Sequence, residues 1–320
     1  IGLGVFFYLR ALIYLSQPLY FIHTPWYSKY DKDKEELFMV RIISDSSTML
    51  NVKEGKEHGI TISPLSVTIN GKSYRELEEI TAEEFIKLIN EGFMPTTSQP
   101  SIGEKMHLYE TLAKDDEIID ITIADGLSGT YHSACTAKDD CPHNDNIHVF
   151  NSKTLCGPHR YLVLKAVDLA SKGFTAKQII QELKTLQQHE KSFLIPSDFA
   201  FLKRGGRLTP IAATIGGLLK IVPVMTLTDD KSKLEKYTVK RTLSKAIIEI
   251  DKCFHDMQVD ESFYMTITHA ENEELAKKVA SHMKEEFPNT EIEIYPLTPA
   301  FIAQGGPGCI AIQVIKKSAA

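Results

Sequence analysis

The chain has 320 residues, 43% of them hydrophobic and 24% charged, with a formal net charge of -6. That is the composition of a soluble globular protein with length for two domains or one large one. The acidic balance, with no basic block, argues against a nucleic-acid partner and for a small ligand or a protein.

Five cysteines (Cys135, Cys141, Cys156, Cys253, Cys309) make no C-x-x-C pair and are odd in number. Reduced thiols and a cytoplasmic location are therefore expected. Cys141, His143 and His148 lie close together but match no zinc spacing, so no metal site is expected.

Ile1 to Ile22 is an apolar, aromatic run broken by Arg10, Gln17 and Pro18. A membrane span needs about 20 predominantly apolar residues, and the run has no signal-peptide features. An interfacial anchor, a poor membrane helix and a gene-start artefact compete as readings. Residues 1–37 are set aside as an extra segment, artefactual or disordered.

Phe38 to Ile43 reads as the first strand, ending in Ser44-Asp45-Ser46-Ser47-Thr48. Ile60 to Ile69 reads as a further strand, closed by an Asn70-Gly71 hairpin turn. Thr81 and Glu84 form a capping box for a helix through Phe85, Leu88 and Ile89.

Pro95-Thr96-Thr97-Ser98-Gln99-Pro100-Ser101 comes next, a loop rich in hydroxyls and stiffened by two prolines. Ser101 and Glu104 read as a second capping box, opening a helix to about Ala113. Hydroxyls and free N–H groups at a helix start suit an anion, although an ordinary cap has the same residues.

Glu117 to Ala124 is a β-branched strand, and Asp125 to Tyr131 is again a hydroxyl-bearing turn ahead of a helix. Two such turns at the carboxyl ends of strands can converge on one anion. A strand at Ile147 to Phe150 follows, then a helix from Gly157 to Ser171 and another capped by Thr175. This alternation predicts a mostly parallel sheet with flanking helices over residues 38–191.

A second α/β domain with more antiparallel pairing is expected over residues 192–317. Its strands are Ser192 to Pro196, Ile221 to Leu227, Leu234 to Val239, Phe263 to Thr268, Glu291 to Tyr295 and Cys309 to Ile315. Pro223 marks the second of these as an edge or bulged strand. Helices are expected over Ile211 to Leu219, Thr242 to Met257 and Glu273 to Phe287.

Between them, Phe201 to Leu208 reads as a basic, glycine-rich stretch, and Ala303 to Gly308 as a glycine loop. Gly205-Gly206-Arg207 is either a plain turn or a way to bring a guanidinium to a carboxylate. Gly305 to Gly308 is either a tight interdomain turn or a place of close backbone approach. No G-x-x-x-x-G-K-[ST], G-x-G-x-x-G after the first strand, or G-x-S-x-G is present.

Taken together, Ser44-Asp45-Ser46-Ser47, Pro95 to Ser101, Ser128-Gly129-Thr130-Tyr131, Phe201 to Arg207 and Gly306-Pro307-Gly308 resemble the DegV family in order and spacing. The resemblance covers about Phe38 to Lys317. It implies a two-domain α/β protein that binds a long-chain fatty acid between its domains. The implied role is bacterial: a lipid-binding carrier, not itself an enzyme, presenting the acid to a fatty acid kinase subunit for phospholipid synthesis.

By the same resemblance Thr97 and Ser128 hold the carboxylate, with Ser98 and Thr96 as close alternatives and Gly129 and Arg207 nearby. Arg241 would face the kinase. No cofactor is implied besides the bound acid, and transient membrane contact is compatible with the role. Gln304 stands where many relatives carry His, which removes a protonatable group from the head site.

For the pocket wall, Ile215, Leu218, Leu219 and Ile221 are the candidates, with ordinary core as the competing reading. A hydrolase or transferase acting on a small anionic substrate at the same loops is the alternative function. It predicts a His or carboxylate within reach of Ser128.

Overall fold

The computed structural model describes residues 39–215 and 221–319. The expectations for residues 1–37, and for Gly216, Gly217, Leu218 and Leu219, lie outside the described residues.

The first half runs β1 (Val40–Asp45), α1 (Val52–Glu57), β2 (Ile60–Ser63), β3 (Ser66–Ile69), β4 (Lys72–Arg75), α2 (Ala82–Asn90) and β5 (Thr96–Ser98). It continues with α3 (Ile102–Leu112), β6 (Glu117–Thr122), α4 (Thr130–Asp139), β7 (Ile147–Asn151), α5 (Cys156–Ser171) and α6 (Ala176–Leu186). Strands β2-β1-β6-β7 form a wholly parallel sheet, in that order. Thr81 with Glu84, and Thr175 with Gln178, make reciprocal capping boxes.

Three local expectations need correction. Residues 60–69 are two strands in two sheets, because Pro64 has no N–H to continue a ladder and the chain leaves the parallel sheet there. β3 instead pairs with β4 across Asn70 (φ 50°) and Gly71 (φ 70°), the two positive values that the tight hairpin turn requires.

The hydroxyl loop is itself a strand: β5 lies antiparallel to β3, with Val67 opposite Thr97 and Ser66 opposite Ser98. Its prolines stand just outside the paired residues. Ser101 makes no side-chain cap; Glu104, its expected partner, reaches Arg75 at 3.0 Å instead.

The second half runs β8 (Glu190–Ile195), α7 (Phe199–Gly205), β9 (Val222–Leu227), β10 (Leu234–Lys240), α8 (Leu243–Asp256) and β11 (Phe263–His269). It ends with α9 (Glu273–Glu286), β12 (Glu291–Pro296), α10 (Pro299–Gly305) and β13 (Ile310–Lys316). The sheet order is β10-β9-β8-β13-β11-β12, antiparallel except for β11 with β12.

β9 is therefore interior. Pro223 is tolerated because β8 pairs only with Met225 and Thr226, leaving Pro223 beyond the flanked part. The division expected at residues 191 and 192 falls inside β8.

Two short helices escaped the reading of the sequence. α7 occupies the basic glycine-rich stretch: Asp198 caps its start through Ala200 N–H at 2.8 Å, and Gly206 (φ 73°) ends it. α10 occupies the start of the supposed glycine loop, with Pro299 in its first turn. At seven residues each they are too short to show a period. Of the helix expected over Ile211 to Leu219, the described residues 211–215 hold a 3-10 turn, Ala212–Thr214.

α5 joins the two halves. Its Leu162, Val163 and Ala166 share one core with Ile42 and Ile119 of the parallel sheet and with Tyr264 and Ile315 of the mixed one. Gly157 at its start lies so close to β11 that a Cβ there would stand 1.8 Å from Thr266 Oγ1. On the other side of the parallel sheet, Lys105 donates to Asp120 at 2.7 Å, and Tyr109 donates to the same carboxylate oxygen. Lys105 and Asp120 are 1% and 0% exposed.

An ion pair this deep is costly to break from one side. Asp120→Asn is expected to lower stability by about 3–5 kcal/mol in urea unfolding, because it strands the ammonium. Adding Lys105→Met should recover most of that loss, since Asn still accepts from Tyr109. Equal stability of Asp120→Asn and the parent chain would refute the role given to the pair.

Candidate functional site

A cavity of about 500 Å³ lies between the mixed sheet, β5 and the segments that follow β6 and β7, within the usual range of about 300–1,000 Å³ for small-ligand sites. Most of its wall is hydrocarbon. Phe193 and Leu194 come from β8, Met225 and Leu227 from β9, Leu234 from β10, and Leu202 from α7. Ala300 and Phe301 of α10, with Leu65, Leu155 and Leu297 from loops, complete it.

Ile215 and Ile221, two of the expected wall residues, are not among the lining residues. Met225, Leu227 and Leu234 line the cavity instead. These lie later on the β9–β10 hairpin, where strand pairing fixes their direction.

Polar side chains gather at one part of the wall. Thr97, Ser98 and Gln99 arrive on β5 and its end, Ser128 and Gly129 on the turn between β6 and α4, Arg207 after α7, and Gln304 on α10. The structure thus brings Thr97, Ser98, Ser128, Gly129 and Arg207 to a single cavity from three separate stretches of chain. Thr96 is exposed and is not among the lining residues. Arg241 is exposed at the junction of β10 and α8, away from the cavity lining.

How these groups are held defines what they offer. Gln304 Nε2 donates to Thr97 Oγ1 at 3.3 Å, so one lone pair of that hydroxyl is occupied and its own O–H is left to donate elsewhere. Gln99 lies flat on Gly129, where a Cβ would stand 1.9 Å from Gln99 Oε1. Ser128 Oγ is 2.8 Å from Thr130 Oγ1 and accepts from Thr130 N–H at 3.3 Å, which fixes the entry to α4.

Arg207 donates through Nε to Leu127 O at 3.1 Å and through Nη1 to Gly205 O. Its guanidinium therefore braces the α7 end against the β6–α4 turn while lining the cavity. The result is a patch of O–H and N–H donors beside one fixed positive charge, suited to a carboxylate or another small anion.

Behind the patch, the Ser44 to Ser47 motif acts as a knot. Asp45 accepts from Ile123 N–H and from Ser47 N–H, both at 2.9 Å, and so fixes the end of β6. His159 Nδ1 is 2.6 Å from Ser47 Oγ, and Nε2 is 3.2 Å from Ser44 Oγ. Burial pushes the pKa of this imidazole down, so it stays neutral. Ser44, Ser47 and His159 are all 0% exposed, and this Ser–His pairing has no path to a substrate.

Cys156 and Cys309 also line the cavity. Burial pushes both thiols up, Cys309 to about 12, which keeps them protonated and inert. The described cysteines are free thiols. Among the described residues no group of three or more His, Cys, Asp or Glu is placed to hold a metal ion. No helix among them is long and apolar enough to cross a membrane.

Reading the sequence missed Gln99 as a lining residue, though it sits in the stretch singled out. It also missed most of the apolar wall, because a cavity residue and a core residue carry the same side chains.

Known proteins share this architecture. A family model described as "Uncharacterised protein, DegV family" matches residues 39–317. A DegV domain-containing protein of Staphylococcus aureus (strain N315) is 34% identical over 278 residues, covering 86% of this chain and 98% of its own. DegV of Bacillus subtilis, described as a fatty acid binding protein, is 30% identical at a TM-score of 0.78, over 88% of this chain and 100% of its own. A DegV family protein of Thermus thermophilus, described by its fatty acid binding, is 27% identical at a TM-score of 0.79, over 87% and 100%. With its hydroxyl strand, its Ser-Gly-Thr-Tyr turn and nearly its whole described length matched, the chain belongs to the DegV family.

Proposed function

We propose that this protein binds a long-chain fatty acid in the cavity, with the carboxylate at the donor patch and the alkyl chain along the apolar wall. The observation that carries this reading is the division of one cavity into a hydrocarbon wall and a compact cluster of neutral donors beside Arg207. The fatty acid binding described for the Bacillus subtilis and Thermus thermophilus relatives supports it.

In this reading Thr97, Ser98, Ser128 and the Gly129 N–H hold the head group, and Arg207 supplies charge. The ligand lies between an α/β domain of residues 38–191 and a second of residues 192–317. A chain of ~16 carbons gains roughly 0.8 kcal/mol per buried CH₂, or about 12 kcal/mol before ordering costs. A bare carboxylate in such a wall would be very costly, and the donor patch removes that penalty.

Such a site holds its ligand without transforming it. We accordingly read the protein as a cytoplasmic carrier that presents the carboxylate to a separate kinase subunit, with Arg241 on the surface that meets it. The alternative, a hydrolase or transferase using Ser128, needs a base beside that hydroxyl. Among the described residues Ser128 bonds Thr130, and the buried His159 is committed to Ser44 and Ser47.

Protein expressed in bacteria is expected to carry a long-chain acid, detected by native mass spectrometry and identified after lipid extraction. A consistently empty protein that also refuses added acid would sink the proposal. Among saturated acids that fit the cavity, affinity should fall about fourfold for each methylene removed. Ser128→Ala and Thr97→Val should each weaken binding by roughly 10- to 100-fold, the range for a hydrogen bond to a charged group. Unchanged affinity in both variants would move the head group elsewhere.

A further inference from the structure

Glu76, the residue after β4, is wholly buried, and its carboxyl group fastens three parts of the chain together. Oε1 accepts from Ser46 Oγ at 2.5 Å, in the turn after β1. Oε2 accepts from Ala300 N–H at 2.7 Å, in the first turn of α10. Ser46 Oγ in turn accepts from Leu65 N–H at 2.9 Å. Thr298, the N-cap residue of α10, makes no side-chain cap, and the first turn of that helix holds no acidic residue. Glu76 therefore caps α10 from a distant part of the chain.

What α10 carries makes this contact consequential. Ala300, Phe301, Gln304 and Gly305 all line the cavity, as does Leu65. Through Gln304 the same helix reaches Thr97 in the donor patch.

We propose that Glu76 is a proton-operated latch, closing α10 against the cavity when protonated and loosening that wall when ionised. Burial raises the Glu76 pKa from its ordinary value of 4.5 to about 7, with the bonds from Ser46 and Ala300 pulling the other way. Asp45 at the end of β1 adds to the rise. Glu76 in turn helps to push up the thiol of Cys156 at the start of α5. Arg75, next to Glu76 in sequence, is turned away to Glu78 and Glu104 and does not neutralise it.

The direction follows from linkage. When α10 lifts, the carboxyl meets water and returns to its ordinary pKa, so closing α10 takes up a proton. The closed state is favoured most below about pH 4.5, loosens about tenfold per pH unit up to about 7, and then levels off. The consequence for ligand release rests on the acyl site proposed above, whereas the latch itself does not.

Hydrogen exchange of the α10 amides tests the latch in the ligand-free full chain, with Glu76→Gln measured alongside to remove the intrinsic pH dependence of exchange. The ratio of wild-type to Glu76→Gln opening should rise about tenfold per unit between about pH 5 and 7 and then flatten. A flat ratio overturns the proposal. Carbon-13 NMR of glutamate-labelled wild type gives a check that needs no variant: one side-chain carboxyl should titrate near 7, and a full set of ordinary values overturns the latch.

Release of a bound acid should follow the same curve in wild type and, relative to it, lose that component in Glu76→Gln. Release that ignores the opening of α10 overturns the link to the cavity. A protein that never holds an acid yet shows the α10 dependence refutes the acyl site and leaves the latch standing.

Discussion

Buried polar groups must be paired, and that single requirement shapes the surroundings of the cavity. Gln313 is an example. It lies on the wall at 2% exposure, and its amide is fully engaged: Nε2 donates to Ser192 Oγ and Leu155 O, and Oε1 accepts from Gly157 N–H. Ser192 passes the connection to Glu190, which also takes Lys231. Polar atoms in this part of the wall are thus spent on the protein itself. Those with donors to spare collect at β5 and the β6–α4 turn, giving the cavity one end of different chemistry.

Close approach of backbones makes that end compact. The hairpin between β9 and β10 rests directly on the β6–α4 turn, where a Cβ on Gly126 would stand 2.2 Å from Ser232 Cα. No side chain larger than hydrogen fits, so the mixed sheet can seat its hairpin over the Ser128 turn of the parallel one. Lys153 and Asp125 pair at 2.9 Å beside this contact. Packing of the two halves through α5 and through this hairpin determines the volume left between them.

The same pairing rule separates structural hydroxyls from available ones. Ser44, Ser46 and Ser47 look in sequence much like Ser98 and Ser128, yet all three are buried and committed. A serine beside a histidine invites a catalytic reading, and here full burial removes it. On β5, by contrast, Ser98 is exposed, and Thr97 Oγ1 accepts from Gln304 Nε2, which leaves its own O–H to donate.

The sequence by itself determined the alternation of strands and helices, the parallel sheet, the capping box at Thr81, the cap at Thr175, and the Asn70-Gly71 hairpin. All of these are local: they depend on side-chain period, on caps within one turn, or on a two-residue conformation. Through their resemblance to the DegV family, its motifs also implied Thr97, Ser98, Ser128, Gly129 and Arg207 as one group. Only the tertiary structure decided that the hydroxyl loop is a strand, that Ile60 to Ile69 serves two sheets, and that Arg207 braces two carbonyls. It alone revealed Glu76 beneath α10, residues separated by 224 positions in the chain. Such features depend on partners distant in sequence, and a cavity wall has the same hydrocarbon residues as a core. What distinguishes the two is the space that packing leaves unfilled, and no pattern along the chain records it.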